Sequence, residues 1–144
     1  MIPLPDDGAP AATGHRPWPA AWVRAALEPA ILGALTAGPL HGYGIAQTLA
    51  ARGFGTLRGG SLYPVLARLE EAGHVSTRWV EGQGGPGRKD YALTDAGRAE
   101  YADAVASFRA LGAALAALGA EGEAGADGGT AESVPAPVPQ EVPR

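Results

Sequence analysis

Residues 58–93 read RGGSLYPVLARLEEAGHVSTRWVEGQGGPGRKDYAL, and two periods meet inside that stretch. The first is helical. Projected at about 100° per residue, Leu62, Val65, Leu66 and Leu69 share one face, while Tyr63, Pro64, Ala67, Arg68 and Glu71 share the other. The spacing predicts a helix over residues 62–72, with Ser61 as N-cap, Pro64 in the first turn and Gly73 in the left-handed position that stops it. After Gly73 the period becomes two. Val75, Thr77 and Trp79 alternate with His74, Ser76 and Arg78, and Tyr91 and Leu93 repeat the pattern in a partner strand. The polar, Gly-rich segment Glu81–Arg88 between them reads as a hairpin loop.

A helix followed directly by a hairpin with a basic tip is the layout of a winged helix. The fold class expected is therefore mainly α with a small β-hairpin wing: a winged helix-turn-helix plus a C-terminal dimerisation helix. The chain has 144 residues and no cysteine, room for one domain with tails and no disulfide framework. Asp6 and Asp7 stand where a signal peptide would carry basic residues. The apolar run from Ala110 to Ala120 is broken by glycine and falls short of the roughly 20 residues of a membrane span. A cytoplasmic protein without a membrane segment is the expectation.

The formal charge of −4 argues against a nucleic-acid partner until its distribution is read. The acids concentrate in the tails, with Asp6 and Asp7 at one end and Glu121, Glu123, Asp127, Glu132 and Glu141 at the other. From Arg52 to Lys89, Arg52, Arg58, Arg68, Arg78, Arg88 and Lys89 face only Glu70, Glu71 and Glu81. Positive charge is thus gathered on the helix and hairpin.

Residues 1–19 lack periodicity and read as a disordered extension, and residues 119–144 as a disordered acidic, Pro-rich tail that includes the run Val134–Pro139. The winged-helix DNA-binding domain is expected over residues 20–94. Its first helix should cover 19–37, with Trp22, Leu27, Ile31 and Leu35 near one stripe and Pro29 kinking or dividing it. A second helix starts near His41-Gly42-Tyr43 and buries Ile45, Leu49 and Phe54. Thr94 caps a last helix over 95–118, whose residues Tyr101, Val105, Phe108, Leu111, Leu115 and Leu118 form a continuous apolar stripe. So much apolar surface calls for a partner, and Ala102, Ala106, Gly112, Ala113 and Ala116 permit a close one. A two-fold homodimer fits this helix better than packing back on its own domain.

Three blocks resemble one family. Leu40-His41-Gly42-Tyr43-Gly44-Ile45, Gly60–Gly73 with its Ser61-Leu62-Tyr63-Pro64 start, and Gly87–Gly97 with Arg88-Lys89-Asp90-Tyr91 resemble the signature blocks of PadR transcriptional regulators. The resemblance covers about Ala25 to Leu118. It implies a winged helix-turn-helix of the short subfamily, dimerised by a C-terminal helix and repressing transcription until an effector binds. Gly44 and Asp90 depart from the residues usual in the family.

Physics assigns the roles in outline. The start of the third helix would enter the major groove of an operator duplex, with Ser61 and Tyr63 hydrogen-bonding, Arg68 reaching guanine or phosphate, and Pro64 and Ala67 touching thymine methyls. Arg88 and Lys89, with Arg58 and Arg78 nearby, would contact phosphates. A small aromatic effector would sit at the two-fold axis by Phe108, with Trp18 or Trp22 reaching in; the competing reading is that these aromatics pack the dimer. Tyr63 divides between packing and DNA contact, and Trp79 reads as packing. Gly82–Gly87 satisfies GxGxxG, but a strand follows where a dinucleotide site needs a helix. His15, His41 and His74 lack ligand spacing, so neither metal nor cofactor is expected, and no nucleophile set suggests an enzyme. Two other functions remain open: a protein-interaction module and a non-specific architectural DNA binder.

Overall fold

The computed structural model describes residues 18–82 and 84–126. In place of one long first helix it has two, α1 (Ala20–Ala25) and α2 (Leu27–Ala34). The break falls at Ala26 and not at Pro29. Pro29 then lies in the first turn of α2, where a missing N–H has no intrahelical partner to lose. Restarting the helix resets its face: Val23, Leu27, Ile31, Leu32 and Leu35 are buried, while Trp22 is exposed.

The chain continues through β1 (Leu40–His41), α3 (Gly42–Ala51) and α4 (Gly59–Glu71). Both α3 and α4 end on a left-handed glycine, Gly53 at φ +94° and Gly73 at φ +82°. In each case the next N–H reaches back to a carbonyl of the last turn, Phe54 to Leu49 at 3.0 Å and His74 to Leu69 at 2.9 Å. A side chain at either glycine would strain the closure.

The start of α4 corrects the expected cap. Arg58, extended at φ −93° and ψ 158°, takes the N-cap position without a side-chain hydrogen bond. Its carbonyl accepts from the N–H groups of Ser61 and Leu62, each at 2.9 Å. Ser61 is therefore inside the first turn, and Pro64 lies further into the helix than its first turn. Flexible Gly59 and Gly60 wind into the helix because Leu62, Val65, Leu66 and Leu69 dock on the core beneath.

Strands β2 (Val75–Val80) and β3 (Arg88–Leu93) form the hairpin, in register Val75 with Leu93, Thr77 with Tyr91 and Trp79 with Lys89. β1 adds to the far side of β3, pairing Leu40 with Tyr91, so the sheet order is β1-β3-β2, all antiparallel. The core gathers Ile31, Leu35, Ile45, Leu49, Leu62, Leu66, Leu69, Val75 and Tyr91.

Helix α5 spans Asp95–Ala126. The Thr94 hydroxyl accepts from the Gly97 N–H at 2.9 Å and donates to the Gly73 carbonyl at 2.7 Å, so one side chain caps α5 and ties it to the end of α4. The helix continues past Leu118, so residues 119–126 are helical where a tail was expected. The N-terminal extension up to residue 17 and the segment 127–144, with the Val134–Pro139 run, lie outside the described residues. The chain divides into two compact units, one ending at Val105 and the other beginning at Ala106, inside α5. By length and composition α5 is apolar enough over Asp95–Glu123 to cross a membrane, which the broken run 110–120 did not suggest. Its large apolar residues nevertheless keep to one stripe, and Arg109 interrupts the rest.

Candidate nucleic-acid interface

With Leu62, Val65, Leu66 and Leu69 turned inward, the middle of the outer face of α4 carries Pro64, Ala67 and Glu71, all exposed. Tyr63 and Glu70 lie on the flank towards the wing, and Arg68 on the opposite flank towards α2. Ser61 is exposed at the start of the helix. The nine residues expected to touch DNA thus divide between one helix surface (Arg58, Ser61, Tyr63, Pro64, Ala67, Arg68) and the hairpin beside it (Arg78, Arg88, Lys89).

Three of the five cations already have a carboxylate beside them. Arg68 donates to Glu28 Oε2 from Nε at 3.2 Å and from Nη2 at 3.1 Å, joining α4 to α2. Arg88 Nε donates to Asp90 Oδ1 at 3.1 Å. Lys89 Nζ lies 3.9 Å from Glu70 Oε1, and Glu70 also accepts from the Thr77 hydroxyl at 3.0 Å. Among the described residues no carboxylate lies within 4.0 Å of Arg58 or Arg78. Exposed pairs of this kind contribute little stability, so each paired cation can exchange its carboxylate for another anion. Sequence reasoning counted the charges but missed these pairings, because Glu28 and Arg68 are brought together only by folding.

The aromatics behave differently from one another. The Tyr63 ring lies over Gly42 at the start of α3, where a Cβ would stand 2.7 Å from the phenol Cζ. Tyr63 therefore fixes the approach of α3 and α4 and still leaves 49% of its surface exposed. Tyr91 is buried behind it, and burial, followed by the neighbouring Tyr63 and Glu70, raises its pKa above the usual tyrosine value. Trp79 overturns its assignment as packing: it is 65% exposed, because the hairpin runs past the core and, among the described residues, no helix covers that end of the strand.

The residues assigned to dimer and effector are scattered over more than one setting. Trp18 rests against Phe54, their rings 5.4 Å apart, and Trp22 is exposed. Tyr101 packs on Gly33 of α2 and borders the core. Val105 is half-buried, while Phe108, Leu111, Leu115 and Leu118 are exposed along α5. A cleft of about 490 Å³, bordered by Ala30, Gly33, Pro39, Thr48, Phe54 and Tyr101, had no signal in the sequence, since its walls come from separate segments. Among the described residues no group of three His, Cys, Asp or Glu could hold a metal ion.

Residues 31–103 match the sequence model of the transcriptional regulator PadR-like family, which is just over half of the chain. The chain belongs to this family. A PadR family transcriptional regulator from Eggerthella lenta is 28% identical, with a TM-score of 0.63 over 68% of this chain and 85% of that one. A PadR-like transcriptional regulator from Bacillus cereus is 26% identical, with a TM-score of 0.60 over 68% of this chain and 95% of that one. Bacillus subtilis PadR, solved in complex with operator DNA, is 32% identical, with a TM-score of 0.51 over 55% of this chain and 45% of that one. No curated protein matches the chain. The PadR-like match runs from α2 into the first turns of α5, so it includes all nine candidate DNA contacts and ends before the stripe from Val105 onward.

Proposed function

We propose that this PadR-like regulator is a dimeric, sequence-specific DNA-binding repressor of its own or a neighbouring promoter, released by a small aromatic effector. The observation that carries the reading is the exposed face of α4 beside a hairpin bearing Arg78, Arg88 and Lys89, in a chain similar to a PadR bound to operator DNA. A helix of this width fits the major groove. Pro64 and Ala67 at the centre of its face suit thymine methyls, and Ser61 and Tyr63 suit phosphate or base edges. The first-turn N–H groups of α4 have no side-chain cap and favour an anion. Arg58, Arg78, Arg88 and Lys89 supply phosphate contacts, and Arg68 reaches the backbone or a guanine once it leaves Glu28. Glu71 shares that outer face at the far end of α4, so this reading requires that end of the helix to stand away from the phosphates.

Dimerisation through the α5 stripe supports two recognition helices reading half-sites about one helical turn apart. An aromatic effector held by Phe108 and Trp22 would change that spacing and so weaken operator binding. The test is a titration against the duplex upstream of the gene and against a scrambled duplex, at two salt concentrations. The repressor reading expects a preference of about 10³ or more for one upstream site, protected symmetrically. Equal, salt-steep binding would identify a non-specific architectural protein, and absence of binding a protein-interaction module. If Phe108→Ala leaves both dimer stability and ligand response unchanged, the effector site lies elsewhere.

A further inference from the structure

Trp79, 65% exposed, is more open than Tyr63, the aromatic already counted within the candidate DNA surface. It shares a strand face with buried Val75 and half-buried Thr77, so the alternation alone would bury it. The hairpin carries it beyond the helices instead. Directly opposite in the ladder is Lys89, on the same face, with Nζ 5.8 Å from the Tyr91 ring centre. Arg78 precedes it, and Arg88 faces Val80 one step further along. Beneath the indole is Gly87: a Cβ there would stand 2.6 Å from Trp79 Nε1 and 2.9 Å from Cε2. Glycine lets the ring lie against the hairpin backbone while its other surface stays in solvent.

We propose that Trp79 is a DNA-contacting residue, its indole lying along the deoxyribose edge of the minor groove beside the wing while Lys89 and Arg78 take the flanking phosphates. The proposal rests on the DNA-binding reading above. An isolated exposed aromatic is ordinary on a protein surface, but this one lies beside Lys89 on one strand face, with Arg78 and Arg88 on the reverse face of the same hairpin. The sugar–phosphate edge offers the matching chemistry, apolar C–H surface between anions, and minor-groove-binding proteins use apolar side chains in that groove. The contact reads no base. Trp79 therefore acts on affinity for duplex of any sequence and contributes no charge to the salt dependence.

The test uses full-length protein with its upstream duplex and a scrambled duplex. Trp79→Ala should weaken both by about tenfold and leave the slope of log affinity against log salt unchanged, with Trp79→Phe retaining most of the binding. Lys89→Ala should instead reduce that slope by about 1. The chain has three tryptophans, so a variant carrying W18F and W22F reports Trp79 alone. Its acrylamide quenching should fall when duplex is added. Unchanged affinity of Trp79→Ala or unchanged quenching, while the wild type binds, overturns the proposal and leaves the DNA-binding reading intact. A loss confined to the upstream duplex overturns it in favour of base readout. Shielding that depends on protein concentration without DNA overturns it in favour of a contact between copies. Failure of the wild type to bind any duplex overturns both readings together.

Discussion

The outer surface of α4 with its hairpin and the apolar stripe of α5 are both open to solvent, but they stand differently towards the rest of the chain. Behind the first lies a closed core: Leu62, Leu66 and Leu69 are buried against Ile31, Ile45 and Leu49, and Arg68, Glu70 and Thr77 above them have partners within the same chain. Among the described residues nothing of the kind lies over the second. Leu111, Leu115 and Leu118 are each more than half exposed. One surface is complete in a single chain and offers groups that can exchange partners. The other is apolar surface left open, and the dimer proposed above would cover it with a second apolar face.

That contrast can be broken experimentally. The largest effect belongs to the stripe: replacing Leu111 and Leu115 together by Asp should weaken association by at least about 10³-fold, seen as a fall from dimer to monomer mass in light scattering. A wild type that is already monomeric at high concentration would remove the contrast. Next, Leu66→Ala in the closed core should destabilise by about 2–5 kcal/mol in chemical denaturation, and it should do so equally in the monomeric double variant. A loss that vanished in the monomer would mean that the first unit does not stand alone.

Smaller effects sharpen the description of the polar surface. Arg78→Ala should lower the salt slope of DNA binding by about 1 and cost more affinity than Arg88→Ala, whose charge Asp90 already offsets. Asp90→Asn should raise affinity for scrambled duplex by about two- to threefold in the same titration, because Arg88 is then released. The smallest effect near neutrality concerns Tyr91. Its raised pKa means that folded and unfolded chains both keep the proton below about pH 10, so stability is flat there. Above that value the unfolded chain ionises first and stability falls until the folded tyrosine also titrates. Tyr91→Phe should remove this alkaline decline in denaturation curves recorded from pH 8 to 11.

Much of the fold was legible because its signals are local. The face of α4, the stop at Gly73, the Thr94 cap and the alternation of the hairpin depend on residues within a few positions of one another, and each is where the sequence placed it. The candidate site was legible as a set of exposed residue types on one helix and one wing. Its electrostatics were not. Counting to Lys89 stopped one residue short of Asp90, and nothing near Arg68 announces Glu28.

Periodicity, caps and turn glycines were therefore enough to establish a winged helix with an apolar helix after it, since backbone preferences act over a few residues. The pairing of Leu40 with Tyr91, the tether from Arg68 to Glu28, the Tyr63 ring over Gly42 and the exposure of Trp79 depended on three-dimensional packing. In each case the outcome turns on which distant segment arrives beside a side chain, or on none arriving. The alternation that marked Trp79 for burial describes a strand's two faces but not how far the core beneath one of them extends.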